Sequence, residues 1–175
     1  MANSLQNRRK KFLNAAEGYL MLDMPDHALT ELDQITDPEN CLFKESKLRG
    51  EALRMKEEYG PALVAFGRAA VEKPNDSSLL LGMSWCYKRL DQLDQAIAAT
   101  KQAYDVEPGE PIILYNLACY YTLASDKEQA LSWLGRALRM DKDLLKLIPD
   151  EPDFNNLRND PDFLFIIETA GQVVE

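Results

Sequence analysis

Four alanines, Ala28, Ala62, Ala96 and Ala130, stand 34 residues apart, inside the segments HALTEL, PALVAF, QAIAAT and QALSWL. The neighbourhood of each repeats as well. Twelve positions earlier comes a small residue (Ala16, Gly50, Ser84, Ala118), and nine earlier an aromatic or leucine (Tyr19, Leu53, Tyr87, Tyr121). Seven positions later stands Ile35, Ala69, Ala103 or Ala137, and Pro74 and Pro108 close two of the units. A fixed period of this length marks a chain assembled from one supersecondary unit used several times.

The spacing inside a unit is helical. In the third copy Leu80, Ser84 and Tyr87 recur at intervals of four and three, which places them on one face of a helix, and Ala96, Ala99 and Ala103 do the same on a second. Two antiparallel helices joined by a short turn approach closely only where one offers small side chains and the other bulk. The alanine stripe in DQAIAATKQAYDVEP therefore predicts seats for Tyr87 and for the first helix of the following unit. Filling Ala96 with Leu should cost about 1–3 kcal/mol through overpacking.

This pattern resembles the tetratricopeptide repeat, a 34-residue helix–turn–helix. The resemblance covers residues 9–144 as four repeats: 9–42, 43–76, 77–110 and 111–144. Thr100, where a large apolar residue is usual, and Ile35, where a small one is usual, depart from it. The implied fold is all-α, a right-handed α–α superhelix in one solenoid domain whose exposed ends need caps. Residues 145–175 supply the far cap. They contain PDF twice, and resemble the terminal D-P-x-F segment of bacterial tetratricopeptide proteins, with Glu151 in place of the first aspartate. Asp160 as N-cap and Pro161 at the first helical position predict a helix from 161 to about 170. Phe154, Leu157, Phe163 and Ile166 are expected to cover the flank of the fourth repeat.

In this family the ligand lies on the concave face, reached about 100° around each first helix from its packed stripe. Those positions are Lys10, Leu13, Glu17 and Leu20 in the first repeat and Lys44, Lys47, Glu51 and Arg54 in the second. The third has Ser78, Leu81, Trp85 and Lys88, with Arg89 beside them. The fourth has Ile112, Tyr115, Cys119 and Thr122, with Asn116 beside them. In the middle of the groove five bases (Lys44, Lys47, Arg54, Lys88, Arg89) stand against one acid (Glu51), and with the large rings Trp85 and Tyr115 they have the composition of a binding hot spot. Lys44, Lys47, Arg54, Leu81, Trp85, Lys88, Arg89, Tyr115 and Asn116 are thus the expected peptide-binding residues, and the expected ligand is a protein segment with acidic groups and an apolar anchor. Asn116 resembles the asparagine with which many such repeats hold a ligand backbone. The carboxylate clamp of chaperone-binding repeats is absent, its places being taken by Leu13, Glu17, Leu48, Ser78 and Gly82.

The rest of the composition narrows the classes. The net charge is −9, with −6 of it in residues 141–175, so nucleic acid and anionic membrane are not expected partners. No apolar run is long enough to span a bilayer, and NAAEGYLML is too polar for the core of a secretory signal, which predicts a cytoplasmic protein. Three cysteines at long spacings and a single histidine, His27, fit neither a disulfide framework nor a metal knuckle, so no metal or cofactor is expected. Neither a phosphate loop nor a nucleophile motif is present, so no catalytic residue is assigned and an enzyme is not expected. The leading expectation is a non-catalytic adaptor or scaffold. The alternative is a type III secretion translocator chaperone, which shares the small size, acidity and repeats. Monomer and weak dimer are both compatible with an exposed first helix.

Overall fold

The computed structural model describes residues 2–36 and 38–172; residues 173–175 of the expected cap lie outside this range. Among the described residues there is no strand. The described residues form nine α-helices in order: α1 (Ala2–Met21), α2 (Pro25–Leu32), α3 (Leu42–Met55), α4 (Tyr59–Glu72), α5 (Ser77–Arg89), α6 (Leu93–Val106), α7 (Pro111–Leu123), α8 (Lys127–Met140) and α9 (Pro161–Gln172). Short 3-10 turns occupy Pro38–Cys41, Lys142–Lys146, Ile148–Asp150 and Pro152–Leu157. The chain forms two compact units, Met1–Leu90 and Asp91–Glu175, so the division falls inside the third expected repeat.

The 34-residue period is written in the backbone as well as in the side chains. The left-handed residues Asp23, Glu57, Asp91 and Ser125 have φ of 57°, 61°, 58° and 61° and are spaced by 34. None is glycine, although an L-residue in this region costs about 1–2 kcal/mol. Each of the three turns that lie within one unit closes its helix in the same way. The N–H of Met24 donates to the carbonyl of Tyr19 and that of Asp23 to Leu20, and the pairs Glu58–Leu53 with Glu57–Arg54 and Asp126–Tyr121 with Ser125–Thr122 repeat this. The double bond satisfies carbonyls that a helix C-terminus leaves open.

In the first unit the α3/α4 hairpin and α5 close around Phe66, which is fully buried. A β-carbon on Gly50 of α3 would come within 2.4 Å of the Phe66 ring, and one on Gly82 of α5 within 2.8 Å. One ring therefore fills the space that two helices leave for it. Arg49 is held at 2.7 Å from the buried Glu45 and 3.0 Å from Asp33. Burial opposes its charge, but these two acids outweigh burial and raise its pKa.

In the second unit the small residues expected as seats, Ala96 and Ala103, are fully buried on α6, which packs against α7. Thr100 is accommodated without an apolar replacement because its hydroxyl donates to the Ala96 carbonyl at 2.8 Å. Beyond α8 the tail returns onto the unit. The turn Pro152–Leu157 lies on α7, and α9 lies on α8. Phe154, Leu157 and Phe163 are buried and Ile166 half-buried. Asp160 caps α9 through the N–H groups of Asp162 and Phe163, and Lys127 binds its other oxygen at 2.6 Å.

Candidate peptide-binding face

Seven of the nine expected contact residues belong to the first unit, on α3 and α5. These helices adjoin, and the glycine–phenylalanine packing beneath them sets their separation. Three side chains converge there on a fourth, Trp85. The Arg54 guanidinium lies 5.1 Å from the Trp85 ring centre and that of Arg89 lies 5.5 Å from it. Tyr59, at the start of α4, meets Trp85 edge-on at 5.4 Å, and its hydroxyl accepts a hydrogen bond from Arg89 Nε at 3.1 Å. A guanidinium over an aromatic face is attracted by the ring quadrupole. The cluster is thus a half-buried indole held between two cations and a second ring.

The other bases are committed elsewhere, which corrects the expected balance of five bases to one acid. Lys44 pairs with Glu17 at 2.8 Å. Lys47 pairs with Asp76 at 2.8 Å and also donates to the Ser78 hydroxyl. Arg54 itself reaches Glu51 at 2.8 Å. Lys88 is half-buried and already engaged, and Leu81 is half-buried. Glu17 and Asp76 come to the face from α1 and from the turn before α5. Burial works against the Asp76 carboxylate, but Lys47, the Leu79 N–H and the Ser78 hydroxyl outweigh it and hold its pKa below the usual range. Beside Lys44 a cleft of about 330 Å³ is lined by Arg9, Lys10 and Asn14 of the same unit, while Leu13 at its floor is buried in the core.

Tyr115 is not a surface residue. It is 3% exposed, because Phe154 of the returning tail stands perpendicular to its ring at 5.6 Å. Burial removes the phenolate's hydration and raises its pKa. Cys119 and Thr122, two more positions expected on that face, are buried as well, and Ile112 is half-buried. Tyr115 therefore leaves the set of exposed contacts. Asn116 stays half-buried on α7. Both lie in the second unit.

Linear spacing missed Tyr59, since it stands two residues past the left-handed Glu57 and outside the first-helix positions. It also missed a second cluster of similar chemistry in the other unit. There Trp133 meets Tyr104 edge-on at 5.1 Å, and the Arg136 guanidinium lies 4.2 Å from the indole. The Trp133 Nε1 is buried with no partner among the described residues.

No family model matches the chain, and no curated protein does. Solved structures do. YrrB, "a TPR protein with an unusual peptide-binding site", superposes with a TM-score of 0.71 at 15% identity, over 91% of this chain and 82% of its own. MamA gives 0.70 at 18% identity over 79% and 81% of the two chains, and MamA residues 41 to the end from Desulfovibrio magneticus RS-1 gives 0.56 at 18% over 78% and 96%. With no strand among the described residues, the chain therefore has the all-α helical-hairpin fold of tetratricopeptide repeat structures.

Proposed function

We propose that this chain is a non-catalytic protein-interaction scaffold. Its first unit holds a segment of a partner protein against Arg54, Trp85, Arg89 and Tyr59, and the segment carries carboxylates around an aromatic or large apolar anchor. In this reading residues 9–144 are four tetratricopeptide repeats, residues 145–175 are their cap, and the protein works in the cytoplasm. Lys44 and Lys47, each paired with an acid, and Lys88 border the ligand, while Leu81 lines the seat of the anchor. Asn116 contributes separately from the second unit.

One observation carries the reading. Leu81, Trp85 and Lys88 on α5 correspond, 34 residues on, to Tyr115, Cys119 and Thr122 on α7. On α7 that face is covered by the chain's own Glu151-Pro152-Asp153-Phe154, with the Phe154 ring on Tyr115. An acidic 3-10 turn with one aromatic anchor is thus a segment this helix face already accepts within the same molecule. On α5 and α3 the equivalent face carries cations and an indole, whose complement is a segment of the same chemistry. The peptide-binding site of YrrB is a further precedent for such use of the fold.

The test is fluorescence anisotropy of a labelled peptide copying residues 149–156, added to the full-length chain. Binding should weaken about 30-fold or more in Trp85→Ala, the loss of a hot-spot residue. It should also weaken when the peptide's phenylalanine is replaced by alanine, and fall with added salt. Equal affinity for wild type and Trp85→Ala at retained helicity would sink the reading.

A further inference from the structure

Cys119 of α7 is met by the two carboxylates that flank Pro152 in the returning tail. The Cys119 Sγ and one oxygen each from Glu151 and Asp153 all lie within 4.8 Å of one another. Cys119 and Asp153 are 2% and 6% exposed, and Glu151 is half-buried. Two carboxylates so close repel when both are charged, and burial deepens the cost.

A second observation points at the same place. The Tyr115 hydroxyl, one helical turn before Cys119, is buried and has no hydrogen-bond partner among the described residues. The ring of Phe154, which follows Asp153 directly, stands against the Tyr115 ring at 5.6 Å, so the tyrosine and the two acids belong to one contact between α7 and the tail. Buried polar atoms in folded proteins almost always have partners, and an exception calls for an unplaced water or ion. The nearby Arg158 sends its Nη2 to the carbonyls of Pro149 and Glu151 and its Nε to Asn155, fastening the backbone of the loop that carries both acids.

We propose that Cys119, Glu151 and Asp153 form a binding site for a zinc-class divalent cation, with the Tyr115 hydroxyl as an adjoining oxygen. One sulfur and two carboxylates suit a borderline ion such as Zn²⁺, whereas Ca²⁺ and Mg²⁺ take oxygen ligands alone. On binding, the Cys119 thiol releases its proton to solvent and the sulfur's electron pair forms the bond to the metal. The cation replaces repulsion between the two carboxylates by attraction to all three donors. It also ties α7 to a segment that follows it by some thirty residues, which makes it a clamp on the tail. Spacing rules do not register such a site, because its donors meet only after the tail folds back and none is a histidine.

The experiment titrates Co²⁺, then Zn²⁺, into the full-length chain, stripped by chelator and kept reduced without added thiols. The expected result is one equivalent of Co²⁺ giving a thiolate-to-cobalt charge-transfer band, displaced by Zn²⁺. The band should persist in Cys41→Ser and be lost in both Cys119→Ser and Asp153→Asn. Zn²⁺ at a hundred times its Kd should shift the folded-to-unfolded ratio of the wild type about a hundredfold and leave Asp153→Asn unmoved. Glu151→Gln, at the half-buried ligand, repeats the test if Asp153→Asn loses helicity. Absence of the band in the wild type, or its survival in Cys119→Ser, overturns the site. So does its survival in whichever carboxylate variant is folded.

Discussion

Helices α5 and α7 carry equivalent positions to opposite fates. Leu81, Trp85 and Lys88 on α5 are half-buried, and their neighbourhood is cationic and aromatic. Tyr115, Cys119 and Thr122, at the same places on α7, are sealed under the chain's own tail. The repeat decides which side of a helix stays outside the hairpin core. Whatever segment arrives next decides whether that side is surface. The two units therefore differ in whether the chain's own tail is seen to cover that face.

The largest expected effect comes from removing that cover. Phe154→Ala deletes a fully buried ring and should destabilise the protein by about 3–5 kcal/mol in chemical denaturation, with the tail becoming cleavable by protease before the helices do. If the cost is under about 1 kcal/mol, the tail does not seal α7 and the comparison fails. The mirror experiment is Trp85→Ala. It should leave most of the stability intact while removing at least about 2 kcal/mol of peptide affinity, because Trp85 supports a surface and not a core.

Asp76 sharpens the first unit's side. It caps α5 by accepting from the Leu79 N–H at 2.9 Å and also holds Lys47, so Asp76→Ala should cost about 0.5–2 kcal/mol. Its pKa is depressed in the fold, so its stabilisation is present above the ordinary carboxylate range and is lost as pH falls through the depressed value. Acid titration of stability should therefore show a smaller loss in Asp76→Ala than in the wild type. An unchanged profile would remove the carboxylate from the account. The smallest effect belongs to the turns. Glu57→Gly and Ser125→Gly relieve left-handed strain in the two units alike, and each should change stability by no more than about 1 kcal/mol.

The helical hairpins were legible because small residues at fixed intervals have one economical use, which is to let helices touch. Arg54 and Trp85 were legible because stepping around a helix from its packed stripe is simple geometry. The acids that neutralise Lys44 and Lys47 were not, since Glu17 and Asp76 sit 27 and 29 residues from their partners and no period connects them. Tyr115 was misplaced for a related reason. Helical periodicity reports the side a residue faces and carries no information on a 3-10 turn that folds back from residue 152. The left-handed turn residues passed unnoticed because Asp, Glu, Asp and Ser stand where glycine would have signalled them.

The fit of Phe66 between Gly50 and Gly82 has a consequence for how this molecule can change over generations. Three positions, one on each of three helices, share a single volume. A methyl gained at either glycine must be matched by bulk lost at Phe66, so the three are free to drift only in concert. Relatives of this chain that keep the same spacing of α3 and α5 should show that joint substitution, and a sequence in which one of the three has moved alone will have moved the cationic face above it.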